Sequence, residues 1–525
     1  MIGGSPKTPG MFLGLDSSTQ SLSAIIIDPA EGKIAASSSV NFGKDLPDYG
    51  APSGFIPGGE NGEVHADPRM WLDALDLLFT RLSGEVDLSR IQVIAGSGQQ
   101  HGSVYVGEGF DEMLENLDPS RGLSEQLGIH FSRKTSPIWM DTSTGEECVE
   151  ITAAAGGAAE VCARSGSIAI ERFTGPQIRK FSKTNPAGYA ATKTIHLVSS
   201  FIASVLAGKP LPIDFGDGAG MNLLNLAELG WDSGLLAATA PGLREKLLPP
   251  ASCLAPQGTV SAYFSTKYGI SRSCRVCPFT GDNPASLVGM GATTPGQVVI
   301  SLGTSDTFFA AMTEPKTDPQ GYGHVFGNPA GGFMSLICFR NGSLAREALR
   351  DELGADWSAF EKEALAATVD SAGKNLTLPF YGAEITPRHD FENPVTRFSD
   401  EPTPARRIRS LLEGQFLNMK LHSEWMGVAT ERIRLTGGAS KNDGIAQLVA
   451  DVFQAPVERL DVANSAALGA ALIAGAAGGH DLVGLEGVFC KPAADSLLLP
   501  DTTLAGKYST ALTDFRKLLE QTING

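Results

Sequence analysis

The sequence lacks a GxxxxGK[ST] segment, and no GxGxxG follows an apolar strand, which leaves it without a P-loop or a dinucleotide turn. It also lacks a long apolar run. The most apolar stretch, around Ala466 to Ala477, falls short of the roughly 20 residues of a membrane span and is rich in Ala and Gly, so it predicts a buried helix. Cysteine is sparse: seven residues between Cys148 and Cys490, an odd and scattered set that suits reduced thiols rather than a disulfide framework. Cys274 and Cys277 form the one CxxC, with neither the second pair nor the nearby histidines that a zinc site needs. Positive charge is in deficit, 41 Lys and Arg against 58 Asp and Glu, so the net charge of −17 repels nucleic acid and anionic lipid. Any polyanionic ligand must then be held locally, by a metal ion and backbone N–H groups. The opening residues, Met1 to Gly10, lack the apolar stretch of a secretion signal; a flexible tail over 1–10 and a cytoplasmic location are expected.

What is present suits a large globular chain. At 525 residues it exceeds the size at which one core keeps growing, and 42% hydrophobic with 19% charged residues supports a full core in each of two domains. Two segments share a pattern of apolar strand, turn of Gly and hydroxyl residues, and second apolar strand: FLGLDSSTQSLSAIII from Phe12 to Ile27, and VVISLGTSDTFFA from Val298 to Ala310. Between and after them, helical and strand patterns alternate. Leu75, Leu78, Phe79 and Leu82 recur at helical spacing, Ile91 to Ala95 and Ile433 to Leu435 read as buried strands, and Ile445, Leu448, Val449, Val452 and Phe453 form one apolar stripe before Pro456. The expectation is two α/β domains, 11–290 and 291–525, each opening on a hairpin, with a cleft between them.

Several residues are candidates for chemistry, each beside a plainer reading. Asp16 is the carboxylate of the first turn, followed by Ser17, Ser18 and Thr19. Beside phosphate it needs an intervening cation, and Mg²⁺ takes one or two carboxylates plus phosphate oxygens; otherwise Asp16 caps its own turn. The second turn, through Gly303 and Thr304, offers backbone donors, with Asp306 expected to face away. Gly437 and Gly438 follow a strand and open a helix, where a flat nucleotide can lie on bare backbone or a helix can pack closely. Asp282, in FTGDNPAS, sits at a strand-to-helix junction, with Asn283 as a cap and Pro284 at the first helical position. The helix N-terminus should keep the carboxylate ionised and ready as a base, unless it is merely a cap. His101 in SGQQHGS, Arg172 in IERFTG, and Trp139 with Asp141 in IWMDTS can each line a polyol site or serve packing, salt-bridge and turn roles. Trp357 can stack on a base or be a half-buried helix residue.

In order along the chain, GLDSSTQS, SGQQHGS, WMDTST, ERFTGPQI, IDFGDGAGMNLL, FTGDNPAS, SLGTSDT, LLEGQFLNM, LTGGASKN and ANSAALGAAL resemble the FGGY carbohydrate kinases, and within them the eukaryotic-type branch acting on D-xylulose. The resemblance runs from Phe12 to about Leu472. It implies the two-domain actin-like, hexokinase-like (ribonuclease H-like) ATPase fold with an interdomain cleft, the sugar on the first domain and ATP on the second. It further implies transfer of the γ-phosphate of ATP to the 5-hydroxyl of D-xylulose by a monomer or homodimer. By position, Asp282 matches the catalytic base and Asp16 the acidic residue of the first phosphate motif, where Mg²⁺ is expected. His101, Arg172 and Asn283, with Asp282, match sugar contacts; Trp357, Gly437, Gly438 and Asn442, with the turn residues Thr19, Gly303 and Thr304, are the nucleotide candidates. The bacterial branch carries Met-His where Gln100-His101 stands, and a different run where Ile178, Arg179 and Lys180 follow, which weakens substrate detail borrowed from it. Alternatives are a kinase of another pentulose or pentitol such as ribulose and, in a different class, an actin- or chaperone-like conformational ATPase.

Overall fold

The computed structural model describes residues 10–358, 360, 362, 375–460 and 464–525. The expected tail therefore lies outside the described residues except for Gly10. The chain divides into two units: Met1–Thr293 with Val325–Phe333 and Ala463–Cys490, and Thr294–His324 with Met334–Val462 and Lys491–Gly525. Contiguous halves, 11–290 and 291–525, are not how the contacts fall. The buried helix expected near Ala466 returns to the first unit because its apolar surface covers the first sheet.

In the first unit, β1 (Met11–Ser17), β2 (Ser21–Asp28) and β3 (Lys33–Asn41) form an antiparallel meander. On its other side β1 pairs in parallel with β4 (Ile91–Gly98). Short strands β5 (Gly258–Thr259) and β6 (Arg275–Val276) extend the sheet to the order β5-β6-β4-β1-β2-β3, and β7 (Thr280–Gly281) pairs with the end of β4. Side chains alternate across the sheet. Leu13 and Leu15 enter a core shared with α1 (Pro68–Glu85), whose Leu75, Leu78, Phe79 and Leu82 make the apolar face that their spacing predicts.

The same alternation sends Phe12, Gly14 and Asp16 to the opposite face. There, helices α5 (Asp282–Gly289) and α9 (Ser465–Ala477) pack against each other and α9 lies on β1 and β4. Both helices carry glycine at the crossing. A Cβ on Gly289 would stand 1.9 Å from the Ser465 carbonyl oxygen, and one on Gly469 1.8 Å from that of Ala285, so these positions take no side chain. Between α1 and α5 come α2 (Thr174–Thr184), α3 (Val198–Ala207) and the short α4 (Phe215–Ala219).

The second unit repeats the plan. Strands β8 (Gln297–Leu302) and β9 (Asp306–Met312) form the second hairpin, and β8 pairs in parallel with β11 (Arg432–Thr436), as β1 does with β4. With β10 (Phe333–Phe339) and β12 (Val457–Arg459), the order is β10-β9-β8-β11-β12. The same unit holds helices α6 (Ser343–Glu352), α7 (Pro404–Ser423) and α8 (Asp443–Phe453). The α8 stripe is buried as its spacing predicts, and the helix closes on Gln454 in the left-handed region two residues before Pro456. Among the described residues no helix is long and apolar enough to cross a membrane.

Candidate active site

The first cluster lies at the carboxyl ends of β1, β4 and β7. In the parallel register Asp16 stands beside Ser97, whose hydroxyl donates to Asp16 Oδ1 at 2.7 Å. Thr280–Gly281 aligns with Ser97–Gly98, which brings Asp282, the first residue of α5, to the same edge. Burial pushes the Asp16 carboxyl up to about 6 against the Ser97 hydrogen bond. Asp282 is pushed up to about 7, first by burial and then by the negative charge of Asp16. This corrects the expectation of a depressed value. The helix start and the backbone donors of Asn283 and Gln100 favour the anion, but desolvation beside a second carboxylate outweighs them. Pro284 is the third residue of α5 rather than the first, and no side chain caps that helix. Asn283 instead turns back, its backbone and Nδ2 donating to Asp282 Oδ1 at 2.8 and 3.0 Å.

His101 lies on the turn after β4, buried, with φ at +71°, a conformation that costs a side-chain-bearing residue energy and tends to mark functional turns. Its Nδ1 is 2.7 Å from the Gly220 carbonyl oxygen, just past α4. Burial, aided by the Arg172 charge, lowers its pKa to about 3, so the ring is neutral. The carbonyl partner assigns the proton to Nδ1 and leaves Nε2 an acceptor. Phe173 packs 4.3 Å from that ring, centroid to centroid, and the Arg172 guanidinium lies 5.4 Å from the Phe173 centroid. Asp282, Asn283, His101 and Arg172 are thus gathered in one region.

Trp139 and Asp141 do different work. Asp141 is fully buried and accepts from the backbone of Val64 and Ser143, the Ser143 hydroxyl and Gln177 Nε2, at 2.6–3.0 Å. Burial alone would raise its pKa, yet these donors with His65 hold it well below the usual range; it braces the turn. Trp139 is 44% exposed and donates from Nε1 to Thr19 Oγ1 at 2.8 Å, which engages the hydroxyl of the first turn.

The second cluster lines a cavity of about 550 Å³ in the second unit, a size suited to a small ligand. Gly303, Thr304, Trp357, Gly438 and Asn442 all border it. Gly437 lies behind them: its φ is +91° and a Cβ would stand 2.3 Å from the Leu302 carbonyl oxygen, so glycine lets the turn close onto β8. A Cβ on Gly438 would meet nothing, leaving bare backbone toward the cavity. Asn442 Oδ1 is spent on the Ile445 amide, capping α8. The Gly303 amide donates to Asp306 Oδ1 at 3.1 Å, and Asp306 turns inward to pair with Arg346 Nη2 at 3.0 Å, both groups buried. The Arg350 guanidinium covers the Trp357 ring at 4.5 Å.

Four contributors escaped the sequence reading: Ser97, Gln100, the Gly220 carbonyl and Arg346. The first three fall within or beside quoted motifs, SGQQHGS and IDFGDGAGMNLL, where a strand end was the available signal; Arg346 carries no local sign. Among the described residues, no three His, Cys, Asp or Glu side chains are placed to share a metal. Mg²⁺ fits such a site when it arrives with phosphate, since it needs only one or two protein carboxylates. Asp16, buried without a cationic partner among the described residues, has the right character.

Residues 298–478 match the C-terminal domain, and residues 135–289 the N-terminal domain, of the FGGY family of carbohydrate kinases. The chain is 40% identical to a xylulose kinase of Rattus norvegicus over 525 residues, covering 98% of this chain and 97% of that protein. It is 41% identical to xylulose kinase 2 of Arabidopsis thaliana over 490 residues, 88% and 86% of the two chains. In structure it resembles a xylulose kinase from Rhodospirillum rubrum, with a TM-score of 0.80 at 21% identity over 97% of this chain and 98% of that one. It likewise resembles a glycerol kinase of Plasmodium falciparum with ADP, with a TM-score of 0.77 at 17% identity over 98% of each. At these identities the structural likeness establishes the fold, the actin-like ATPase fold.

Proposed function

The chain belongs to the FGGY family of carbohydrate kinases, and on that premise we propose that it transfers the γ-phosphate of ATP to the 5-hydroxyl of D-xylulose, giving D-xylulose 5-phosphate and ADP. The observation that carries this reading is Asp282, a half-buried carboxyl whose proton affinity lies near neutrality, held by the backbone and side-chain amides of Asn283. A general base works best with a pKa near the operating pH. The 5-oxygen gives its proton to Asp282 while it bonds to the γ-phosphorus, and the bond from that phosphorus to the bridging oxygen of ADP breaks. His101, Arg172 and Asn283 position the sugar. Gly303, Thr304, Trp357, Gly437, Gly438 and Asn442 are the nucleotide candidates of the second unit and Thr19 that of the first, with Gly303 acting through its place in the turn because its amide is engaged. Asp16 would hold Mg²⁺ accompanying the phosphates, and the metal would supply neutralisation of the charge that develops in transfer. The names of the relatives support D-xylulose as the sugar. The odd, scattered set of seven cysteines suits a reducing cytoplasm, where the enzyme acts as a monomer or homodimer.

The test is ATP consumption by the purified protein with D-xylulose, D-ribulose, L-ribulose, glycerol and xylitol in turn. The expected result is turnover that requires sugar and is fastest with D-xylulose. A preference for D-ribulose or xylitol would reassign the substrate, and turnover indifferent to sugar would point to a conformational ATPase.

A further inference from the structure

The amide of Gln100 is fixed in one direction by a chain of hydrogen bonds that begins at Asp282. Asp282 Oδ1 receives the Asn283 backbone N–H at 2.8 Å, so it is an acceptor and the atom of the Asn283 side chain facing it, at 3.0 Å, is the nitrogen. Nδ2 has one more hydrogen, and it goes to Gln100 Oε1 at 2.7 Å. Both amide hydrogens of Asn283 are then spent, while its Oδ1 has no partner among the described residues. Turning the Asn283 amide over would set two oxygens against each other, so the direction is determined.

Gln100 is locked as well. The residue is 3% exposed, its backbone amide hydrogen-bonds Asp282, and its Nε2 is buried with no acceptor among the described residues. A Cβ on Gly281 would stand 2.7 Å from that nitrogen, so glycine there makes room for the amide. A buried unpaired donor costs about 1–3 kcal/mol, and such a cost calls for an explanation in function.

We infer that Gln100 is a positioning residue that sets specificity: by holding Asn283 it turns the Asn283 carbonyl oxygen to the sugar, so that this contact accepts from a hydroxyl and rejects a carbonyl. The inference rests on the proposed sugar kinase function. It follows from the chemistry of the acceptor. A 2-ketopentose closes its ring through the 5-oxygen, so a free 5-hydroxyl belongs to the open chain, which presents one acceptor-only carbonyl and several hydroxyls. Asn283 Oδ1 can lie opposite a hydroxyl alone, and inverting that hydroxyl removes the hydrogen bond. An asparagine free to turn over would read either group.

The experiment compares the unaltered enzyme with Gln100→Met and Gln100→Glu, measuring kcat and KM for D-xylulose, D-ribulose and ATP. Methionine fills the space without accepting a bond, and glutamate retains the Oε1 acceptor. The expected result for Gln100→Met is a KM for D-xylulose raised about tenfold and a D-xylulose to D-ribulose preference reduced by a similar factor, the loss of roughly one hydrogen bond. KM for ATP should not change, and Gln100→Glu, which keeps the acceptor but adds a carboxyl beside Asp282, should keep the sugar preference while slowing turnover. An unchanged sugar KM and preference in Gln100→Met overturns the inference, as does loss of the preference in Gln100→Glu. An unaltered protein that phosphorylates neither sugar overturns the kinase reading itself, a separate outcome visible before any variant is compared.

Discussion

In the first unit β1 turns into β2 beside Asp16, and in the second β8 turns into β9 beside Asp306; both carboxylates are buried, and in both places the first strand of the hairpin pairs in parallel with a later strand. The charges are treated differently. Asp306 meets Arg346 through two hydrogen bonds of 3.0 Å, and its Oδ1 also receives the Gly303 amide, so that turn carries its own counter-charge, set against a burial that raises the Asp306 pKa. Asp16 has only the Ser97 hydroxyl to set against its burial, and burial wins, pushing its carboxyl up to about 6. One duplicated frame thus yields a self-contained turn and a turn that a cation would complete.

The sharpest way to break the comparison is to remove the compensation where it exists. Arg346→Met leaves Asp306 buried and unpaired, and stability should fall by about 3–5 kcal/mol in denaturant unfolding. Asp16→Asn in the other hairpin should not destabilise, and its effect has a pH signature. Asp16 binds its proton more tightly in the folded chain, near 6 instead of the ordinary 3.8. The folded state therefore holds the extra proton between those values, and its stability falls as pH rises through that window. Asp16→Asn should accordingly raise the unfolding midpoint above that window and leave it unchanged below. Equal losses from both substitutions would show that the two carboxylates are alike. A smaller effect concerns the metal: Asp16→Asn should raise the Mg²⁺ concentration needed for half-maximal turnover by about tenfold, the loss of one charge-assisted ligand. An unchanged requirement would take Asp16 out of the metal site.

Much of this contrast was legible in the sequence as position and little of it as charge state. The hairpins are visible because apolar runs flank short turns of Gly and hydroxyl residues, and Asp282 is visible at a strand-to-helix junction. The pairing of Asp306 with Arg346 joins residues 40 apart through tertiary packing, and nothing in SLGTSDT announces it. The raised proton affinity of Asp282 was hidden for the same reason: the helix start is local, whereas burial and the charge of Asp16 arrive from β1, far away in sequence. Gln100 stood inside SGQQHGS, but its role depends on Asn283, 183 residues later. The return of α9 to the first unit was likewise out of reach, since an Ala- and Gly-rich helix states that it is buried without stating against what.

The measurement that tests the central claim most directly is sugar-dependent phosphoryl transfer as a function of pH, in the unaltered protein and in Asp282→Asn. The account predicts a rate that climbs as pH rises through about 7, because the base must be ionised to accept the proton. It also predicts a fall of about 10²–10⁴-fold in Asp282→Asn with nucleotide affinity retained. A variant that transfers phosphate at the unaltered rate would contradict the assignment of Asp282 as the base.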